Sequence, residues 1–347
     1  MSYKSKLLIW FASLMVVSKI YQGVQSQLEL NLIYLRFAGD VLSTLESPRY
    51  LLTETLEESE QIILRSSLSE QQKGRLLARQ LQASIWLEEN NQEDLLDTLM
   101  NLSVPNYLEQ WLVREGKQAE EVGDREKAEA MYGKATILFP NSWYSHFWLG
   151  IFYGNERAED KYQTLKTAIT NMNPQTPEAF AVMTHWHLGS VLSIAPQLAP
   201  NKKWSDEMRA VIEVDPHNSL NSWFTASAYF YLGDEALQLG SLAEAQQFFE
   251  HSLNTATHAG AISTAYRGLG DVQRGEGNLA SALEKYQKAV DSNPNSLVAR
   301  LALAETLSAL GQDNAAVTQL QKVLELDPTH KVACKKLSVL GKDCLTQ

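Results

Sequence analysis

Two histidines that flank a tryptophan, His185 and His187, are the residues of this sequence best suited to bind a metal ion or to transfer protons. Their spacing argues against a shared metal. On an α-helix, positions i and i+2 point roughly 200° apart, and the surrounding sequence has helical rather than strand periodicity. We therefore expect both histidines to lie in a core or a groove, and we predict no metal site and no cofactor.

Other patterns that carry chemistry are missing from the sequence. It contains no His-Glu-x-x-His, no Walker loop, no Gly-x-Ser-x-Gly and no glycine-rich dinucleotide motif after a strand. Carboxylate pairs such as Glu57-Glu58 and Glu120-Glu121 have the spacing of a solvated helix face. We predict that the chain is not an enzyme and that it has no catalytic residues.

Composition limits the class of partner. Of 347 residues, 44% are hydrophobic and 20% are charged, which is a normal balance for a folded protein. The net charge of -11 argues against nucleic acid as a partner, because that binding depends on clustered lysine and arginine. The two cysteines, Cys334 and Cys344, form no metal-binding pattern, and we expect two unpaired thiols, with a bridge as the alternative.

The N-terminus carries a targeting pattern. Lys4 and Lys6 precede an apolar run at residues 7–17, as the basic and hydrophobic regions of a secretory signal do. A membrane span needs about 20 apolar residues, and the run approaches that length only by extending past Lys19. Residues 1–26 are therefore predicted to be a membrane-targeting segment, most simply an uncleaved signal anchor.

Two alternatives to an uncleaved anchor stay open. Val24-Gln25-Ser26 offers a small-residue cleavage site, which would release a secreted or periplasmic protein. The apolar run could also be a helix of a cytosolic protein. With positive charge ahead of the run, either targeted form places the body of the chain on the extracytoplasmic side.

A 34-residue repeat organises the rest of the chain. Helical periodicity recurs with short breaks, and the breaks contain prolines 34 residues apart, at Pro140 and Pro174 and again at Pro294 and Pro328. The clearest unit, 263–296, combines these columns: Leu269-Gly270, Ala282, Tyr286, Ala289 and Pro294. The units 109–142, 143–176, 226–259 and 297–330 share most of them.

These columns resemble the tetratricopeptide repeat, in which each unit is a pair of antiparallel helices. The resemblance implies an all-α fold, an α-α superhelix or solenoid. Glycines such as Gly240, Gly277 and Gly311 are predicted to end the first helix of a unit. Small residues in the Gly270 column would let the paired helices approach closely.

The repeat columns divide the chain into six parts. They are a targeting segment at 1–26, a divergent helical capping region at 27–108, two repeats at 109–176, an expanded repeat-like unit at 177–225, three repeats at 226–330 and a C-terminal capping helix or tail at 331–347.

The resemblance also implies a function. In such arrays the first helices line a groove that binds a peptide segment or a helix of another protein. The groove candidates are Tyr144, Phe147, Ile151, Phe230, Asp234, Arg267, Asp271, Arg274, Leu301 and Glu305. Asp271 and Glu305 would repel an acidic peptide tail, which argues against a chaperone-tail receptor. We expect a membrane-associated scaffold for protein complexes. The alternatives are a constitutive subunit of a larger membrane, secretion or polysaccharide machine and, less favoured, an enzyme with an unrecognised site.

Overall fold

The computed structural model describes residues 57, 59, 61–63, 68–88, 90–220 and 223–344. Within them every regular element is a helix, and neighbouring helices pack as antiparallel pairs, which confirms the predicted all-α fold. The predicted targeting segment at 1–26 lies outside these residues, as do residues 27–56 of the predicted capping region. No helix among the described residues is long and apolar enough to cross a membrane.

Fifteen α-helices lie in the described chain. They are α1 Glu70–Leu87, α2 Gln92–Met100, α3 Tyr107–Glu121, α4 Arg125–Leu138, α5 Trp143–Phe152, α6 Ala158–Asn171, α7 Glu178–Ile194, α8 Trp204–Val214, α9 Trp223–Gln238, α10 Leu242–Thr255, α11 Ala259–Gly275, α12 Leu279–Ser292, α13 Leu297–Ala309, α14 Asp313–Leu326 and α15 Lys331–Val339. Short 3₁₀ turns occur at Asn155–Arg157 and Pro196–Leu198.

The chain forms two compact units, Met1–Leu149 and Gly150–Gln347, and their boundary falls inside α5. In the first unit, α1 packs on α2 and α3 packs on α4. In the second unit, the pairs are α7 with α8, α9 with α10, α11 with α12 and α13 with α14. Each of these pairs also contacts the next one, and α15 packs on α14. The core is therefore shared between neighbouring pairs.

Glycine ends the first helix of several pairs, as the sequence predicted. Gly240, Gly277 and Gly311 have φ values of 76°, 79° and 73°, which side chains with a Cβ rarely adopt. In each case the glycine amide donates to the carbonyl three residues earlier. Gly123 and Gly341 end α3 and α15 in the same way. This closure lets the chain reverse direction within a few residues.

The helices of a pair approach closely where a glycine faces a large side chain. A Cβ on Gly270 would lie 2.6 Å from the Tyr286 ring, and one on Gly233 would lie 2.7 Å from the Phe249 ring. Both rings are fully buried. Phe249 also packs on Gly268 of the next pair, so its ring joins two pairs. The repeat therefore has glycine at one column and an aromatic residue at the other because the close packing of the two helices leaves no room for a Cβ beside the ring.

The pair α7 and α8 has a longer connection than the others. Residues 195–203, which include a 3₁₀ turn, join these two helices, whereas residues 239–241 are enough to join α9 to α10. Gly189 on α7 faces Met208 on α8, whereas Gly233 and Gly270 face the rings of Phe249 and Tyr286. The chain between Val214 and Trp223 is also longer than that between Thr255 and Ala259, so both connections of this unit carry extra residues.

The prediction of two unpaired thiols is wrong, because Cys334 and Cys344 form a disulfide. Their Cα atoms are 5.0 Å apart, a distance that a disulfide spans. Cys334 lies on α15, and Gly341, with a φ of 68°, turns the chain back along that helix. The positive φ of this glycine brings the second thiol to the first.

Candidate protein-binding surface

Five charged residues on three successive first helices form one chain of ion pairs, called here the ion-pair strip. Arg267 donates to Asp271 over 2.8 Å, and Arg274 donates to the same carboxylate over 3.0 Å. Arg274 also reaches Glu305 of α13 over 3.1 Å, and Lys336 of α15 reaches Glu305 over 2.8 Å. Residues three and four apart share one helix face. The three residues on α11 therefore form ion pairs with one another, and Arg274 also pairs with the next first helix.

Asp271 is the centre of the strip. Its side chain is only 10% exposed, against 43% for Arg274. Besides the two arginines, the Tyr286 hydroxyl donates to it over 2.7 Å. Burial, followed by the charge and hydrogen bond of Asp271, raises the pKa of Tyr286 far above its ordinary value of 10.0. The phenol therefore stays a neutral donor, and the strip is attached to the buried ring of α12.

The Phe230 ring packs beneath Arg267, one of the residues of the strip. The Arg267 guanidinium lies 4.9 Å from the centroid of the Phe230 ring, within the range of a cation–π interaction. Phe230 itself is 8% exposed, and its ring lies 5.5 Å from that of Phe249. This predicted groove residue is thus part of the core. The part-exposed members of the strip are Arg274, Glu305 and Lys336.

The other predicted groove residues lie outside the strip. In the first unit, Phe147 is buried, whereas Tyr144 is half-buried and burial raises the pKa of its hydroxyl. In the second unit, Ile151, Asp234 and Leu301 are half-buried, and Leu301 packs against the core around α13. Among the predicted groove residues, the structure joins Phe230, Arg267, Asp271, Arg274 and Glu305 by direct contacts.

Lys336 was missed by the sequence reasoning because residues 331–347 were interpreted as a cap or tail. A signal for it was present. Pro328 follows Pro294 by one repeat length, so a further first helix is expected just beyond Pro328. Lys336 lies on that helix.

Trp186 and Ser190 on α7 hold groove positions that the sequence reasoning also missed, because the repeat spacing is irregular in this part of the chain. The long connections after α7 and after α8 move the next glycine of the column, Gly233, to 44 residues beyond Gly189 rather than 34. Aligning Gly189 with Gly233 places Trp186 and Ser190 at the positions that Phe230 and Asp234 hold on α9. Aligning the repeats on their glycines rather than on their prolines would have identified these two positions.

The two histidines have different surroundings, as their i, i+2 spacing on a helix predicts. His185 Nδ1 lies 2.7 Å from Glu207 Oε2 on α8. His187 is influenced by Lys161 on α6, and burial followed by the charge of Lys161 lowers its pKa to about 4. Within the part of the chain that the structure describes, no group of three His, Cys, Asp or Glu side chains is placed to hold a metal ion.

Glu207 is a buried carboxylate, only 1% exposed, that ties the expanded pair together. One oxygen contacts His185 on α7, and the other lies 2.7 Å from Lys202 Nζ in the connection. Burial by itself would raise the pKa of Glu207, but the hydrogen bonds and charges of His185 and Lys202 outweigh it and leave the pKa lowered. His185, one of the two histidines considered as metal ligands, is therefore bound to a buried carboxylate that holds α7 and α8 together.

Replacing Glu207 with glutamine is expected to lower the free energy of unfolding by roughly 1–2 kcal/mol at pH 7, because two hydrogen bonds lose their charged acceptor. Urea unfolding followed by circular dichroism measures it. The folded-state pKa of Glu207 is lowered, so this stability is present above the unfolded value of 4.5 and is lost as the pH falls through the folded value. Glu213→Gln, an exposed change on the same helix, is the control. Equal stabilities for the two variants would contradict the assignment.

The fold defines a class, the all-α repeat proteins built from antiparallel helix pairs. More narrowly, residues 226–256 and 273–337 match models of the tetratricopeptide repeat, so the chain contains such repeats. It is 24% identical over 212 residues to the TPR repeat-containing protein YpiA of Bacillus subtilis, which covers 60% of this chain and 46% of that protein. It is 29% identical over 143 residues to sperm-associated antigen 1 of Mus musculus, covering 41% and 15%. These matches span less than half the length of either relative.

Solved structures show the same fold. The type IV pilus biogenesis factor PilW superposes with a TM-score of 0.51 at 14% identity, covering 67% of this chain and 100% of that one. A chain of the APC/C hetero-tetramer Cut9–Hcn1 also gives a TM-score of 0.51 at 14% identity, covering 83% and 52%. At this identity the likeness concerns the fold alone.

Proposed function

We propose that this chain is a membrane-associated scaffold that binds a partner protein through the ion-pair strip and the first helices beside it. The observation that carries the proposal is the meeting of part-exposed charges from α11, α13 and α15 in one connected strip. Tetratricopeptide repeats are consistent with protein binding, and arginine is among the residues that most often carry binding energy. The proposal assigns no catalytic residue.

The strip is better suited to binding than to stabilising the fold. Exposed ion pairs contribute about 0–1 kcal/mol each, so their side chains can exchange partners at little cost. The strip contains both signs, with Arg267, Arg274 and Lys336 beside Asp271 and Glu305. The matching partner segment therefore carries both acidic and basic side chains rather than an acidic tail.

Attachment to a membrane is part of the proposal. The basic start and apolar run of residues 1–26 support an anchor with the repeats on the extracytoplasmic side. The Cys334–Cys344 disulfide fits such a location, since disulfides persist in oxidising compartments. Cleavage after the targeting segment would instead give a secreted or periplasmic protein. Alkaline extraction of membranes separates these cases, because an anchored chain stays in the pellet and a cleaved one is released.

Charge reversal in the strip is expected to remove the partner. The full-length chain is purified by affinity from detergent-solubilised membranes beside an Arg274→Glu, Lys336→Glu variant. We expect the variant to lose about tenfold or more of the co-purifying protein, because rim and core charges set partner choice. Both residues are part-exposed, so the variant keeps its core.

A matched control carries the same change in net charge on second helices. Lys288→Glu with Lys322→Glu alters two exposed residues of α12 and α14, away from the strip, and is expected to keep the partner. If the partner stays with the strip variant as well, the strip is not the binding surface. That result would favour a constitutive subunit held by another face.

A further inference from the structure

A small cavity lies between α7, α8 and α9 in the second unit. Its volume is about 150 Å³. Trp186, Trp204, Tyr231 and Met208 form its apolar walls, and Ser190 and Ser193 lie on one side. Small-molecule sites usually measure about 300–1,000 Å³, and a water molecule takes about 30 Å³. The cavity is therefore the size of one side chain rather than of a cofactor.

The pair beside the cavity differs from the next pair in one repeat column. On α8 the unbranched Met208 faces Gly189, whereas the corresponding position of α10 holds the ring of Phe249 against Gly233. A Cβ on Gly189 would overlap Met208 Cε, so the methionine covers the glycine itself, and the cavity lies beside these two residues and beside Ser190 and Ser193. The cavity is therefore lined by residues of this pair together with Tyr231 of α9.

Aromatic rings pack against each other at and beside the cavity. The Trp186 ring lies 5.5 Å from Tyr231 and 4.8 Å from Trp223, and Trp204 lies 6.5 Å from Tyr231. Trp186 is buried, but Trp223 and Tyr231 are 44% and 45% exposed. Exposed aromatic side chains around a preformed pocket are typical of binding hot spots.

The lining selects an apolar occupant. None of the side chains around the cavity is charged. An ammonium or carboxylate group would lose its hydration there without gaining an opposite charge. An aliphatic side chain would instead exchange water for contacts with tryptophan, tyrosine and methionine.

Two residues that line the cavity occupy the same positions of the repeat as two residues of the ion-pair strip. Trp186 precedes Gly189 by three residues, as Arg267 precedes Gly270, and Ser190 follows its glycine as Asp271 does. We infer that the cavity receives one leucine-sized aliphatic side chain of the partner protein that the ion-pair strip binds. This inference rests on the proposed function, to which it adds an apolar anchor.

A variant that fills the cavity from within tests the inference. Ser190→Leu places an aliphatic side chain into the space, and leucine is a better helix former than serine, so α7 is retained. Ser338→Leu, an exposed change on α15, is the matched control. The probes are N-acetyl-leucinamide and N-acetyl-lysinamide, titrated into the full-length chain in detergent. The readout is the indole ¹⁵N–¹H resonances of Trp186 and Trp204.

The leucine probe is expected to shift these resonances saturably in the wild type and in Ser338→Leu. In Ser190→Leu it is expected to bind about tenfold more weakly or not at all. Tighter binding of the lysine probe would overturn the aliphatic assignment in favour of a cation held by aromatic faces. The absence of saturable shifts from either probe would overturn the site altogether.

Partner capture separates this inference from the proposed function. Loss of the partner from Ser190→Leu but not from Ser338→Leu would support the anchor. If the partner stays with Ser190→Leu while the strip variant loses it, the anchor is overturned and the scaffold stands. If no partner co-purifies with the wild type although the leucine probe saturates, the proposed function fails while the chemistry of the cavity is upheld.

Discussion

Replacing Phe249 with alanine is expected to lower the free energy of unfolding by about 3–5 kcal/mol, the usual range for a buried phenylalanine. The ring is fully buried, and it packs on Gly233 of its own pair and on Gly268 of the next. Its removal therefore leaves a cavity at the junction of two pairs, where the glycines have no side chains to fill it. Urea unfolding of the full-length chain, followed by far-ultraviolet circular dichroism, measures the loss.

Leu239→Ala is the control for this prediction. Leu239 follows α9, and it is 77% exposed, so its truncation is expected to change stability by about 0.5 kcal/mol or less. In an array of packed pairs, stability is approximately a sum of pair and interface contributions. A loss for Phe249→Ala no larger than that of Leu239→Ala would show that the ring does not join the two pairs.

Acidification from pH 7 to pH 4.5 is expected to remove about 2 kcal/mol of stability through His187 alone. In the folded chain its pKa is about 4, because burial and Lys161 disfavour the charged ring, whereas the unfolded value is 6.5. The unfolded state therefore binds the proton first. Stability is complete above pH 6.5 and declines as the pH falls toward 4. Urea midpoints measured across this interval report the loss.

Two histidine variants isolate the contribution. His187→Gln is expected to flatten the pH dependence between pH 6.5 and 4.5, since glutamine does not titrate. His217→Gln, which changes an exposed histidine in the turn after α8, is expected to keep it. Glu207 titrates below this interval because its folded pKa lies beneath 4.5. Parallel pH curves for the wild type and His187→Gln would contradict the assignment to His187.

Much of the fold could be predicted because each repeat needs particular residue types at fixed positions for steric reasons. Gly240, Gly277 and Gly311 end their helices in the sequence as they do in the structure, since each adopts a positive φ that other residues avoid. Gly270 allows the close helix approach that its column predicted, with the Tyr286 ring of its own unit packed against it. These features depend on residues within a single unit, where spacing along the chain sets distance in space.

The candidate site was only partly predictable. The one-face arrangement of Arg267, Asp271 and Arg274 follows from their spacing on a helix. The link from Arg274 to Glu305 and then to Lys336 crosses from one first helix to the next. Whether long side chains on neighbouring helices reach each other depends on how the pairs pack, which a single sequence does not specify.

The sequence by itself determined the all-α class, the pairing of helices, the glycine turns and the face on which α11 presents its charges. Tertiary structure alone decided that Phe230 is core, that Cys334 is bonded to Cys344, that His185 is held by Glu207, and that a cavity opens beside Trp186. The physical reason is the range of the interactions. Helix formation and turns depend on neighbours a few residues away, whereas burial, ion pairing and cavities depend on side chains that only packing brings together.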